Sequence, residues 1–356
     1  MGRGWRGGKV IAEEDPRIES TESRFVDALD PPTKKEPRFF RRLVPGFWVK
    51  GLVLALLLVQ NTTYTLLRRY SMANLAEKYD PQEVLLVGEV FKLVVSACAT
   101  TVGGEAPGAR LARLAARSGK MFGLAMIYGA MNVLSYVAIR RVDAAVFTVC
   151  AQLKILTTAA FSVGILRKRV SATKWRALVQ LVLGCVLVTV PQMTASSAPV
   201  DHAAFFVGVV AVFVEVFLSG FASIYFEKVI KADEKLSVWD RNYQLALHSI
   251  LLYLVYGYAE RTYVGSAGRY EPFHDFSGVA WGLAFLGGGG GLLVAMTVKV
   301  ADSVVKTLAV SVAIVTSTLA SHFLLGGPLD LPMGVGAATV ALSVLNYSFD
   351  ASPVSA

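Results

Sequence analysis

Ten stretches of the chain are apolar over about the length of one membrane crossing, and polar residues gather between them. They run over 47–67, 82–102, 120–139, 143–166, 171–190, 203–227, 238–258, 277–298, 303–325 and 331–349. Most connections are short; 103–119, 191–202 and 259–276 are the longer, polar ones. The pattern predicts an all-α membrane protein with ten transmembrane helices. Composition points the same way, with 54% of the 356 residues hydrophobic, 17% charged and a mean hydropathy of +0.53.

Charge adds an orientation. The Lys and Arg residues flanking the spans number 20 on the side of the N-terminal tail and 7 on the other. Positive residues mark the cytosolic side, so both termini are predicted to be cytosolic. The same placement explains the net charge of +9 without any nucleic-acid partner. Residues 1–46 hold ten Lys/Arg and eight Asp/Glu with Pro16, Pro31, Pro32 and Pro37, and are predicted to be a disordered cytosolic tail. They contain no apolar core of the kind a cleavable signal needs, so none is expected. Residues 350–356 are predicted to be a short cytosolic tail. Cys98, Cys150 and Cys185 all lie inside apolar runs, and four histidines have no metal-ligand spacing. No metal and no cofactor are expected, and no nucleophile–base set or Walker loop suggests an enzyme.

One internal similarity changes the picture from ten helices to two halves. Residues 137–162 align with 296–321 at an offset of 159, matching Asp143 with Asp302, Ile155 with Ile314, Thr157 with Thr316 and Ser162 with Ser321. Five spans separate the copies. An odd number inverts the second copy, which predicts a 5+5 inverted repeat with halves at 47–190 and 203–349, an arrangement of secondary transporters. Substrate is then expected near mid-membrane between the halves.

The candidate chemistry starts with Lys154, the twelfth of the 24 residues in 143–166. A cation at that depth costs ~3 kcal/mol or more, so it is expected to meet an anion, either a substrate phosphate or a buried carboxylate. Lys306, near the start of its span, fits the same phosphate or an interfacial anchor; Lys299 lies one span end away. Glu89 and Lys92 are one helical turn apart and read as a structural ion pair or as sugar or phosphate contacts. Glu215 is a lone carboxylate that could pair with a lysine or take up a proton. Asn132, Gln152, Ser219, Asn242, Gln244 and His248 offer neutral donors and acceptors, for a ligand or for helix–helix bonds. The run Gly287 to Gly291 suits close helix packing, with a broken helix as the alternative.

Three stretches resemble the nucleotide-sugar transporter family, in its UDP-galactose, UDP-N-acetylglucosamine and CMP-sialic acid branch. They are DAAVFTVCAQLKILTTAAFSV (143–163), SGFASIYFEKVIK (219–231) with SVWDRNYQ (237–244), and GGLLVAMTVKVADSVVK (290–306). The resemblance implies a ten-helix transporter of the Golgi, or of the endoplasmic reticulum, that exchanges a cytosolic nucleotide sugar for a luminal nucleoside monophosphate. It implies that Lys154 and Lys306 lie near the nucleotide phosphate, and that Asn242, Ser219 and Gly220 contact the pyrimidine. Asn132 matches the first of a paired-asparagine motif whose second position is Val133 here. The family's two tyrosines stand as Phe147, the expected stacking wall, and Ala151. Val294-Ala295 replaces a Thr-Ser pair of the CMP-sialic acid branch, which favours UDP-sugars. A CMP-sialic acid/CMP antiporter and a non-transporting scaffold for a glycosyltransferase are the alternatives. Expected partners are a nucleotide sugar, a nucleoside monophosphate and the lipid bilayer, with a homodimer or glycosyltransferase complex as further options.

Overall fold

The computed structural model describes residues 46–77, 79–102, 106–142, 144–189, 202–232, 235–263, 273 and 276–350. The two tail segments predicted for 1–46 and 350–356 lie almost wholly outside these residues, as does Asp143. Among the described residues every regular element is a helix. In chain order they are α1 (Gly46–Arg69), α2 (Pro81–Thr101), α3 (Pro107–Ala116), α4 (Gly119–Ile139), α5 (Ala144–Gln152), α6 (Lys154–Leu166), α7 (Ala172–Thr189), α8 (His202–Ala232), α9 (Val238–Tyr263), α10 (Gly278–Val300), α11 (Ser303–Leu325) and α12 (Leu331–Ser348). A single widened turn, Tyr70–Asn74, closes α1.

Each expected span has its helix, within five residues at either end. Two points differ from the sequence reading. The stretch 103–119, read as a plain connection, contains the ten-residue helix α3. And nine spans, with α5 and α6 counted as one, are long and apolar enough to cross a membrane among the described residues. The exception is α9. It has the length, 26 residues, but its first turns carry Asp240, Arg241, Asn242 and Gln244, all buried. These groups face protein rather than lipid, and they lower the hydropathy of a helix that is otherwise placed like its neighbours.

Lipid-facing and protein-facing sides separate cleanly. On α8, Phe206, Val210, Phe213, Val214 and Phe217 are exposed, while Ala211, Val212, Val216, Gly220 and Ala222 are buried. Four apolar clusters fill the inside. One joins Met121, Leu124 and Ala125 of α4 to Phe226 and Ile230 of α8 and to Ala295 and Val298 of α10. Another joins Ile155 and Ala159 of α6 to Leu178 and Leu181 of α7, Leu308 of α11 and Val340 of α12.

The helix pairings are α2 with α9 and α10, α4 with α8 and α9, α1 with α10 and α11, α6 with α8, and α7 with α12. The glycine run serves these crossings. Helix α10 passes unbroken through Gly287–Gly291. A Cβ on Gly288 would collide with the Gly88 carbonyl of α2, and one on Gly290 with the amide of Gln60, which donates to Leu286 O at 2.9 Å. Close packing is therefore the reason for the glycines, and the broken helix is not present.

Helices α6 and α11 also end alike. Arg167 and Gly326 are both left-handed C-caps, with φ of 52° and 64°. Lys168 N–H donates to Ser162 O and Gly327 N–H to Ser321 O, each at 3.1 Å. All three pairs of positions are 159 apart, the offset of the internal similarity.

Candidate functional site

The span holding Lys154 is not one regular helix. Leu153 keeps helical dihedrals (φ −63°, ψ −14°), but its N–H bonds Cys150 O, three residues back, and Leu156 N–H bonds Leu153 O. The helix tightens at that point, and Lys154 is the first residue of α6. The Lys154 carbonyl accepts the hydroxyls of Thr157 at 3.2 Å and Thr158 at 2.7 Å. Thr157 Oγ1 also donates to Val216 O of α8 at 3.1 Å. A Cβ on Gly220 would come within 2.8 Å of the Thr157 backbone, so only glycine lets α8 lie this close to α6. Gly220, implied by resemblance as a pyrimidine contact, thus has a packing duty that fixes Lys154.

Facing α6, α8 carries a polar residue every fourth position: Glu215, Ser219, Ser223 and Glu227. That spacing sets them along one stripe about 18 Å long. Each level of the stripe meets a lysine or lies between two that do. Glu215 interacts electrostatically with Lys154 and takes a hydrogen bond from Ser135 of α4. Ser223 Oγ is 3.3 Å from Lys306 Nζ of α11. Lys154 and Lys306 also lie within each other's electrostatic reach. The structure therefore brings together Lys154, Lys306, Glu215 and Ser223, with Ser219 between them on the stripe. Lys306 is an inward-facing residue, not an interfacial anchor.

At the end of the stripe Glu227 is fully buried and is the hub of an ion cluster. Its Oε1 accepts from Lys168 at 2.7 Å and from Lys231 at 2.9 Å; its Oε2 accepts the Ser303 N–H at 2.8 Å. Lys168 also pairs with Asp302 at 3.3 Å, and Asp302 caps α11 by accepting Val305 N–H. Lys231 donates to Ala301 O at 2.6 Å. Lys299 belongs here too: its Nζ is 3.5 Å from Ile230 O, at the end of α8, rather than with the Lys154–Lys306 group. The cluster joins the α6–α7 turn to the α10–α11 turn. Sequence reading passed over Glu227 and Lys168 because charges at span ends look topological.

A second polar group sits between α2, α4, α9 and α10. Glu89 and Lys92 form an ion pair at 2.7 Å, with Lys92 buried. Tyr128 of α4 and Tyr253 of α9 both feel the Glu89 charge. Asn132 donates to Tyr253 Oη at 3.4 Å, and the Lys92 side chain lies over Gly291. The pair reading of Glu89 and Lys92 is realised, and it is wrapped in hydroxyls and an amide able to bond a sugar. Neither tyrosine was singled out in the sequence; each gains meaning only from the helix opposite.

The remaining candidates are placed as follows. Gln152 is buried at the end of α5. Phe147 packs on the apolar cluster of Ala138, Val212 and Val216. Asn242 is buried and donates to Val238 O of its own helix at 2.9 Å.

These features describe a multi-pass helical membrane protein whose interior concentrates paired cations and neutral hydrogen-bonding groups. A family model for nucleotide-sugar transporters matches residues 46–348. The UDP-galactose/UDP-N-acetylglucosamine transporter srf-3 of Caenorhabditis elegans is 36% identical over 318 residues, covering 86% of this chain and 84% of its own. The UDP-N-acetylglucosamine transporter of Bos taurus is 32% identical over 320 residues, covering 86% and 97%. The UDP-galactose translocator of Mus musculus is 42% identical over 233 residues, covering 65% and 58%. Among the solved structures that match, one crystal structure has a TM-score of 0.55 at 14% identity, over 82% of this chain and 98% of that one, which speaks for the fold alone. The chain belongs to the nucleotide-sugar transporter family. The family is one of transporters, not enzymes.

Proposed function

We propose that this protein is an antiporter of a Golgi membrane that carries a cytosolic UDP-sugar, UDP-galactose or UDP-N-acetylglucosamine, inward in exchange for luminal UMP. The observation that carries the reading is the convergence of Lys154 and Lys306 on the α8 stripe. Two ammonium groups within the membrane repel each other unless an anion lies between them. A diphosphate or a nucleoside monophosphate supplies that charge. Glu215 gives Lys154 an internal partner when no substrate is present. Asn242, Ser219 and the Gly220 backbone hold the uracil, with Phe147 as a wall and Gln152 close by in sequence. Glu89, Lys92 and Asn132 lie on the sugar side. The relatives' names favour a UDP-sugar over other nucleotide sugars.

Movement follows from two inverted five-helix halves, 47–190 and 203–349, rocking about the site, with both termini cytosolic. Two findings support the halves. The matching C-caps of α6 and α11 fall at the repeat offset. The helix pairings also recur when every span is advanced by five: α6 with α8 becomes α11 with α1, and α2 with α10 becomes α9 with α4. The Glu227 cluster then closes the cytosolic end, since it ties the turn after α6 to the turn before α11.

Competition in proteoliposomes tests the substrate. UMP is expected to suppress uptake of labelled UDP-galactose at concentrations where CMP and GMP have little effect. Equal suppression by CMP would replace this reading with a CMP-sialic acid carrier.

A further inference from the structure

Helix α3, the turn into α4 and the start of α9 enclose a cleft of about 570 Å³ whose lining shares no residue with the Lys154–Lys306 group. Six of its lining residues are cations: Arg110, Arg113, Arg117, Lys120, Lys235 and Arg241; among the described lining residues none is acidic. We propose that this cleft binds the multiply phosphorylated headgroup of an anionic phospholipid, of the phosphoinositide class. The proposal rests on the membrane placement and the cytosolic assignment of this face given above.

Topology alone asks only for positive charge in a loop. Here the charges are built into a rigid wall. Gln244 is fully buried and donates to Leu114 O at 2.8 Å, which fastens the end of α3 to α9. Arg241 is 3% exposed and donates to Gln244 Oε1 at 3.1 Å. Ser118 Oγ and His248 Nε2 lie 2.6 Å apart and fix the turn into α4. Asp240 is fully buried and pairs with Arg110 at 3.2 Å from the protein side, while the buried Arg110 Nε has no hydrogen-bond partner among the described residues. The first residues of α4, Gly119 and Lys120, line the same space, so the positive end of a helix dipole adds to the cations.

The position selects a lipid over a free anion. Helix α3 sets Arg110, Arg113 and Arg117 along one side, while Leu114 is turned into the protein, where Gln244 holds its carbonyl. Directly after Lys120 on α4, Phe122 and Met126 are exposed, 49% and 47%, on the lipid-facing surface. A phospholipid can therefore seat its phosphates among the cations while its chains run down this apolar strip. Basic pockets at the cytoplasmic ends of spans recognise such headgroups.

The test uses the purified full chain and a short-chain phosphatidylinositol 4-phosphate, read as the rise in melting temperature. Wild type is expected to be protected, with the effect falling as salt increases. The triple variant Arg113→Ala/Arg117→Ala/Lys120→Ala is expected to need at least tenfold more lipid. Phosphatidylserine is expected to protect less, and inorganic phosphate and UMP not at all through this cleft. A variant that responds like wild type overturns the proposal. So does inorganic phosphate or UMP giving protection that the same variant abolishes, because the cleft would then serve a soluble anion. Transport is read separately: the triple variant in phosphatidylcholine vesicles is expected to retain UMP-coupled uptake. If wild type shows no uptake but binds the lipid, the transport reading fails and this one stands.

Discussion

Replacing Lys154 with alanine is expected to cut UDP-galactose uptake about 10- to 100-fold, the loss of one charge-assisted hydrogen bond to phosphate. The protein is expected to fold as before. The backbone at this position is held by Thr157 and Thr158, whose hydroxyls bond the Lys154 carbonyl and do not need its side chain. Removing an ammonium from the middle of a span also removes a cost of ~3 kcal/mol. Glu215 loses its partner, so the double variant Lys154→Ala/Glu215→Gln is expected to be at least as stable as wild type and equally inactive. A structural ion pair would behave in the opposite way, with lower stability and intact uptake. Lys154→Arg keeps the charge, but it replaces a compact cation with a planar fork, and only partial uptake is expected. Unchanged uptake with alanine would leave the glycosyltransferase-scaffold reading standing instead.

The second large effect is expected at Glu227. Its carboxylate is fully buried and receives Lys168, Lys231 and the Ser303 N–H. Glu227→Ala leaves two lysines facing each other and an amide without its acceptor. Breaking a buried charge cluster in this way costs ~3–5 kcal/mol. The strain falls on the two turns that the cluster joins, so the damage is expected to be local: closure at the cytosolic end is lost and exchange slows strongly. Hydrogen exchange reads this directly. The Ser303 amide and the turn at Arg167–Lys168 are expected to exchange faster in the variant, while α7 and α12 remain as protected as in wild type. Glu227→Gln still accepts from Ser303 and is expected to fall between the two. Uniform protection across variant and wild type would show that Glu227 closes nothing.

Much of this was legible in the chain, for a simple reason. A lipid-exposed helix must be apolar over its whole length, so spans announce themselves, and an ionised group inside one stands out. Lys154 and Glu215 were visible in that way. What stayed hidden depended on knowing which face points inward. The four-residue spacing of Glu215, Ser219, Ser223 and Glu227 is plain in the sequence. It becomes a site only because α6 and α11 lie against that face. Lys168 and Lys231 look like the topological charges around them until Glu227 is found between them. Helix α3 was missed because Gly-Ala-Arg composition masks a periodicity only ten residues long. Helix α9 was legible as a helix of spanning length, but the burial of its polar first turns, Asp240 to Gln244, was not. The repeat was legible in identities such as Asp143 with Asp302 and Thr157 with Thr316, and the paired C-caps at Arg167 and Gly326 extend it to positions where the residues themselves differ.

The most direct test of the account is exchange across a sealed bilayer. The purified chain is placed in proteoliposomes loaded with UMP, loaded with CMP, or empty, and uptake of labelled UDP-galactose and UDP-N-acetylglucosamine is followed from outside. UMP-loaded vesicles are expected to accumulate at least one of the two sugars, with one UMP released for each molecule taken up, and empty vesicles to accumulate almost none. Equal uptake into empty and UMP-loaded vesicles would contradict antiport.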